Sequence, residues 1–328
     1  MKPPIRWGLL STANINRRLI PAIHASERGK LTAVASRNKQ TAEAYARKWV
    51  IPVSFGSYEA MLASDQVDAV YISLPNHLHA EWSIRALEAG KHVLCEKPLA
   101  LTVEEVDQMI DASRAAHCVL AEAFMYRHHP QTKLAGEIVH SGKIGEVCAV
   151  SSTFSFSISS RENIRLVKGF GGGSLWDVGV YPVSFAQFIM GAAPEQVMGY
   201  QWLGDSGVDE TFTGILRYSG SRLANITSSF RSPFHTRSEI LGTQGRLELT
   251  RPFIGLQEGG RMILYDDQGE GQDIRVPDKE LYLGEIEDMH AAILDQQPNY
   301  LDLHQSRDHI HTIQALYQAA QSSQTVTL

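Results

Sequence analysis

Cysteine is scarce in this chain. Three occur in 328 residues, Cys95, Cys118 and Cys148. Their scatter excludes a disulfide framework and gives no metal-ligand spacing, so reduced core thiols are expected. No apolar run reaches the roughly 18 residues of a membrane span. An excess of basic charge is also missing. The formal net charge is −6, which argues against a nucleic-acid surface or an acidic membrane as main partner. Met1-Lys2-Pro3-Pro4 leads straight into a strand pattern without an apolar stretch and cleavage site. A signal peptide is therefore not expected, and the expected location is cytoplasmic. Repeats and low-complexity linkers are lacking too. What is there is an ordinary composition, 43% apolar and 20% charged. The length suits two domains of roughly 100–200 residues each.

The first third alternates strand and helix. Apolar strand patterns lie at Ile5–Leu10, Leu31–Ser36, Val67–Leu74, His92–Cys95 and Val119–Ala123. Helical patterns fall between them at Ile15–Ala25, Thr41–Lys48 and His79–Ala89, then after Thr102, where Glu105 completes a capping box. Repeated strand–helix units predict a parallel, doubly wound sheet. After about residue 125 the pattern changes. A helix at Gln131–His140 is followed by an alternating strand at Glu146–Ser157. Strand candidates then come in succession, at Gln196–Leu203, Glu210–Tyr218, Arg222–Phe230, Ser238–Leu241, Arg246–Leu249 and Met262–Tyr265. Ser219-Gly220 marks a hairpin. The expected architecture is α/β. A Rossmann-type dinucleotide domain spans residues 1–123, and an α+β domain with a large, mostly antiparallel sheet spans 124–328. The latter is the candidate substrate and dimerisation domain. Its terminal helices, Glu285–Leu294 and His304–Ser322, are candidates to pack back on the first.

The first strand runs through Ser11, Thr12, Ala13, Asn14 and Ile15 into its helix. A dinucleotide fold places G-x-G-x-x-G at this turn, where backbone N–H groups meet a pyrophosphate. Here Ser11, Ala13 and Asn16 stand at the glycine positions, so the place fits and the motif does not. The second strand ends in Ser36-Arg37, where an NAD-preferring fold has an acidic residue. Arg37 can hold a 2′-phosphate bidentately, so NADP is favoured over NAD. The third long strand ends at Leu74, and Asn76 and His77 beyond it can hydrogen-bond a nicotinamide ribose. No Cys or carboxylate cluster accompanies these histidines, so no metal is expected. His79 reads as a helix N-terminal residue.

Glu96-Lys97-Pro98 ends the next strand, at the edge where open α/β sheets bind ligands. A Glu-Lys pair stopped by a rigid Pro suggests a lysine held ready to act on a substrate oxygen. Further on, Gly171-Gly172-Gly173 precedes Trp176, Asp177 and Tyr181, with Asp177 and Tyr181 four apart on one face of a predicted helix. With Asn76-His77, and with Glu122-Ala123-Phe124-Met125-Tyr126-Arg127 running on to His129-Pro130 as one further motif, these segments resemble the glucose-fructose oxidoreductase / inositol dehydrogenase / rhizopine catabolism (Gfo/Idh/MocA) family. Four motifs in the same order over most of the chain make the match specific. Tyr181 aligns it with the branch that carries tyrosine where inositol dehydrogenases carry histidine. That branch includes glucose-fructose oxidoreductase, dimeric dihydrodiol dehydrogenases and NADP-dependent D-xylose dehydrogenases.

The resemblance implies roles. Lys97 sets an ammonium beside the reacting oxygen, and Tyr181 is the general acid/base, its phenolate favoured by the nearby cation. Asp177 bonds a second substrate hydroxyl or fixes Lys97. Glu96 orients the loop or contacts cofactor, and Arg127 borders both cofactor and substrate. Arg165, Trp176 and His128 are substrate-pocket candidates. The Lys97–Pro98 peptide is a candidate cis bond, and relatives pair through the antiparallel sheet into homodimers or higher homo-oligomers. The expected activity is NADP-preferring hydride transfer to or from a sugar, polyol or cyclic diol. A non-catalytic dinucleotide or sugar sensor of the same fold is the rival, kept open by Ser11 and Asn16. A second is an enzyme that keeps NAD(P) bound and uses it transiently, as in glycoside cleavage by oxidation and re-reduction.

Overall fold

Strands covered by helices on both faces are near-continuous apolar runs, and Ala69–Ile72 is buried at every position. In the computed structural model, which describes residues 2–255 and 259–328, such runs form a six-stranded sheet. Its strands are β1 (Ile5–Leu9), β2 (Gly29–Ala35), β3 (Val53–Phe55), β4 (Ala69–Ile72), β5 (His92–Glu96) and β6 (Leu120–Ala123). All pair in parallel, in the order β3-β2-β1-β4-β5-β6. The order reverses between β1 and β4, which makes a switch point there. Helices α1 (Asn16–Ala25), α2 (Lys39–Trp49), α3 (Tyr58–Leu62), α4 (His79–Glu88) and α5 (Val103–Ala116) connect the strands. Thr102 and Glu105 form the complete capping box that starts α5. The short β3 and α3 were not among the expected elements. A short α6 (Met125–His128) follows β6. This compact unit comprises Met1–His128 and Tyr282–Arg307, so it includes the late helix α9 (Leu283–Asp295).

The second unit comprises His129–Leu281 and Asp308–Leu328. Pro130, at the first turn, starts α7 (Pro130–His140). Its sheet has nine strands: β7 (Val147–Ser155), β8 (Gln196–Leu203), β9 (Asp209–Arg217), β10 (Leu223–Ser229), β11 (His235–Gly242), β12 (Arg246–Leu249), β13 (Met262–Tyr265), β14 (Gly271–Asp273) and β15 (Val326–Thr327). The order is β14-β13-β12-β11-β7-β10-β9-β8-β15. Only the pairing of β7 with β10 is parallel. Residues alternate in and out along β9 and β10. α8 (Val180–Met190), nearly all buried, packs against one face of β7 and β10. α10 (Leu303–Ser322) is the last helix. No described helix is long and apolar enough to cross a membrane.

Candidate active site

The carboxyl ends of β1, β2, β4, β5 and β6 lie on one edge of the parallel sheet. That topology gathers Ser11–Ile15, Ser36, Arg37, Leu74, Asn76, His77, Glu96 and Lys97 on the edge, with Arg127 just past β6. The β1–α1 turn explains its missing glycines. No residue from 11 to 16 has a positive φ, so no position demands glycine. Asn16, fully buried, turns inward. Its Nδ2 donates to Ser11 O at 2.9 Å, and Ser73 Oγ donates to its Oδ1 at 2.6 Å. Ser11 Oγ lies 2.7 Å from Ser73 Oγ and accepts from Ala13 N–H at 3.1 Å. The polar side chains tie the turn from within. Thr12 to Ile15 stay at least partly exposed, and no side chain caps α1. At β2, Ser36 Oγ accepts from Asn38 N–H, and Asn38 caps α2.

The Lys97 segment is held from several sides. The Lys97–Pro98 peptide is cis. Glu96 accepts from the hydroxyl of buried Tyr71 and from Lys97 N–H at 3.2 Å. Burial, with Glu96 alongside, pushes the Tyr71 phenol far up. His79 starts α4 and is fully buried, with ring nitrogens 2.8 Å from both Pro98 O and Leu74 O. Both contacts are hydrogen bonds only when the ring carries two protons. The carbonyls favour that state, and burial opposes it and pushes the pKa down. Arg127 is buried and donates to Gln305 at 3.0 Å, joining α6 to the start of α10.

On the second unit, Arg165, Trp176, Asp177 and Tyr181 lie along one stretch. The structure corrects the continuous helix expected here: Asp177 stands in a π turn, Leu175–Gly179, from which α8 continues with Tyr181. π turns are rare and cluster at functional sites. Asp209, a residue the sequence reading missed, fixes the turn. It is 2% exposed, and its carboxylate accepts from Ser174 Oγ and Leu175 N–H at 2.8 Å each and from Tyr317 OH at 2.6 Å. Arg165 Nε donates to Asp177 at 2.7 Å. Trp176 packs at a tilt on Tyr317 with ring centroids 5.7 Å apart. The Tyr181 ring packs against Phe154 at 5.3 Å and Phe253 at 5.4 Å, two rings that stack on each other at 5.7 Å.

Two family models match the chain. One, described as an oxidoreductase family with an NAD-binding Rossmann fold (GFO_IDH_MocA), matches residues 5–124. The other, the GFO/IDH/MocA C-terminal domain, matches residues 132–248. The chain is 37% identical over 324 residues to "D-xylose 1-dehydrogenase (NADP(+)) 2" of Haloferax volcanii, covering 98% of this chain and 99% of that one. A 3-ketoreductase of Actinomadura kijaniata, solved with NADP and TDP-benzene, superposes with a TM-score of 0.90 at 30% identity, covering 96% and 98% of the two chains. Solved forms of that ketoreductase include a tyrosine-to-phenylalanine and a lysine-to-alanine substitution. An aldose-aldose oxidoreductase of Caulobacter crescentus, solved with glycerol, superposes with a TM-score of 0.91 at 26% identity, covering 99% and 100%.

Proposed function

The chain belongs to the Gfo/Idh/MocA oxidoreductases, and within that family we propose that it is an NADP-dependent enzyme acting on a carbon–hydroxyl group of a sugar, polyol or diol. Aldose oxidation to the lactone is the first choice. The carrying observation is the one sheet edge that collects the β1–α1 turn, Arg37, Asn76, His77 and Lys97. The residues fit the cofactor. The open tip of Thr12–Ile15 at an uncapped helix start suits a pyrophosphate. Arg37, with Ser36 beside it, suits a 2′-phosphate. Asn76 and His77 suit the nicotinamide ribose. NADP bound there supplies the hydride acceptor or donor, and the protein supplies position and proton transfer.

In this reading Tyr181 Oη takes the hydroxyl proton as the substrate is oxidised and returns it in the reverse direction. Lys97 stabilises the charge that develops on the same oxygen. Asp177, aimed by Arg165, binds a neighbouring hydroxyl, and Trp176 and Arg127 border the substrate and cofactor. A cytoplasmic location and a homodimer through the nine-stranded sheet belong to the same proposal. All three cysteines are free, as a reducing compartment would leave them.

The test is fluorescence titration with NADPH and NADH, then turnover on a panel of aldoses and diols. NADPH is expected to bind more tightly than NADH. Arg37→Asp is expected to weaken NADPH by roughly tenfold or more, the loss of one charge-assisted pair. Tyr181→Phe and Lys97→Met are expected to lower kcat by roughly 100-fold or more. No binding of either dinucleotide sinks the oxidoreductase reading. Tight NADPH binding without turnover of any substrate favours the sensor.

A further inference from the structure

The parallel ladder of β5 with β6 ends at Glu96 and Ala123. Lys97, Pro98 and Leu99 therefore lie past the last sheet pairing, where strand ends are loose unless side chains tie them. Each is tied by an ionisable side chain. Lys97 N–H donates to Glu96 Oε2 at 3.2 Å, Pro98 O lies 2.8 Å from His79 Nδ1, and Leu99 N–H donates to Glu122 Oε1 at 3.1 Å. His79 comes from the start of α4 and Glu122 from β6. They are 0% and 3% exposed. A buried ionisable group is costly unless its polar atoms are bonded, and these two direct bonds at one short backbone segment. His79 Nε2 also lies 2.8 Å from Leu74 O, so a ring that carries both protons ties the loop bearing Asn76 and His77 to the same point, and a neutral ring holds one carbonyl of the two.

We propose that His79 and Glu122 are positioning residues that set where the Lys97 ammonium stands. The inference rests on the reading of Lys97 given above. A lysine ammonium on a flexible four-carbon stem is placed only as well as its backbone is, and errors near 1 Å at a reacting centre cost on the order of 100-fold. The groups facing Glu122 are Glu96 from β5, Arg127 from α6 and the Ser306 hydroxyl from α10. Burial, helped by Glu96 and opposed by Ser306, Leu99 N–H and Arg127, pushes its carboxyl up to about 7. The ionised form is the stronger acceptor for Leu99 N–H, so the hold loosens as pH falls through neutrality.

The experiment is steady-state kinetics on an aldose the enzyme turns over, from about pH 5.5 to 8.5, with NADPH titration alongside. Glu122→Ala, Glu122→Gln and His79→Asn are each made with Lys97 present and in a Lys97→Met background. With Lys97 present, Glu122→Ala and His79→Asn are expected to lower kcat roughly tenfold or more and to leave the Kd for NADPH within about twofold. Glu122→Gln, which keeps an acceptor oxygen, is expected to recover most of kcat and to lose the decline on the acid side. In the Lys97→Met background the same changes are expected to move kcat by less than about twofold, because the group they place is gone. Unchanged kcat in both Glu122→Ala and His79→Asn overturns the proposal. So do equal losses with and without Lys97, which mark a purely structural role. Should Glu122→Ala not fold, an acid decline left intact in Glu122→Gln overturns the role of Glu122. Wild-type turnover in Lys97→Met alone would remove the catalytic reading of Lys97 itself, a result separate from the others.

Discussion

Gly173 sits at φ +129°, in backbone space that side chains rarely adopt. A Cβ there would fall 2.1 Å from Asp209 Oδ1 and 2.8 Å from Tyr317 OH. Those two atoms make the 2.6 Å hydrogen bond behind the π turn, so they cannot withdraw without releasing Leu175 and Ser174. Its neighbour Gly172 is confined too, since a Cβ would meet Arg165 O at 2.5 Å. The glycines thus let the backbone close on the acid that holds Asp177 and Tyr181 in place. Gly173→Ala is expected to cost about 1–3 kcal/mol of stability through strain at one special backbone position. It is also expected to lower kcat more than it raises KM, as a shifted Tyr181 should. Denaturant unfolding and steady-state kinetics read the two effects. A Gly173→Ala protein of wild-type stability and rate would mean that the contact relaxes freely.

At the scale of elements, helix α9 is held to the parallel sheet by a neutral imidazole. Trp7 Nε1–H donates to His290 Nε2 at 2.9 Å, so that nitrogen keeps its lone pair. The proton is then on Nδ1, 3.1 Å from Ser26 Oγ. Burial, with Arg28 nearby and Glu287 opposing, pushes the His290 pKa down to about 4. An unfolded histidine titrates near 6.5. Between these values the unfolded chain binds more protons than the folded one, so stability falls as pH falls. The contribution is whole above about pH 6.5, and about 2 kcal/mol of it is gone at pH 5. In urea unfolding at about pH 7.5 and 5, His290→Gln is expected to lose less stability across the interval than wild type by about that amount. Equal losses in the two proteins would show that His290 does not titrate on unfolding.

The elements differ in how well the sequence reveals them. β1, β2, β4 and β5 are legible because strands covered on both faces are plain apolar runs, and the alternation of β9 and β10 is legible because one face is open. β3, α3, β14 and β15 are not, since two to five residues carry too little period to register. The edge residues Arg37, Asn76, His77 and Lys97 could be placed because the end of a parallel strand is itself a signal. The π turn could not, because its cause, Asp209, enters from 34 residues beyond Leu175. Glu122 and His79 were visible only as a motif residue and a helix start. What each does depends on a backbone atom in the segment beyond another strand's end, which no spacing encodes. Asn16 breaks a glycine motif in sequence and repairs the turn in space, through Ser73 on the neighbouring β4 side.

At the scale of the whole molecule, α8 packs on β7 and β10 and Leu316 of α10 lies against Gly199 and Gly214 on one face of the nine-stranded sheet, and large apolar side chains stand on the other. Tyr200, Trp202, Ile215, Leu223 and Phe234 are exposed, too many large apolar side chains to leave in water without a partner. Register sets them around rows of hydroxyls: Tyr200 opposite Thr213, Thr227 and then Thr153, and Trp202 opposite Thr211, Ser229 and then Ser155. A groove of about 630 Å³ runs among Trp202, Arg231, Phe234 and all of these hydroxyl residues but Thr213. The five long strands β7 to β11, at about 4.8 Å spacing and about 3.4 Å per residue, give a face on the order of 600 Å² in projection. That approaches the roughly 800 Å² of accessible surface per partner in a specific interface. Two copies each carry a net charge of −6, so their attraction has to come from apolar burial against a mutual repulsion. Sedimentation is therefore expected to find a dimer that tightens, or holds, as salt rises from about 0.05 to 0.5 M and screens that repulsion. Trp202→Glu, which sets a charge at the wall of this groove, is expected to give monomers that still bind NADPH through the other unit. Were the wild type monomeric at micromolar concentration, or Trp202→Glu still dimeric, this face would need a different occupant. A dimer that fell apart in salt would place its contacts among charged pairs such as Arg237 with Glu248 rather than on the aromatic side chains.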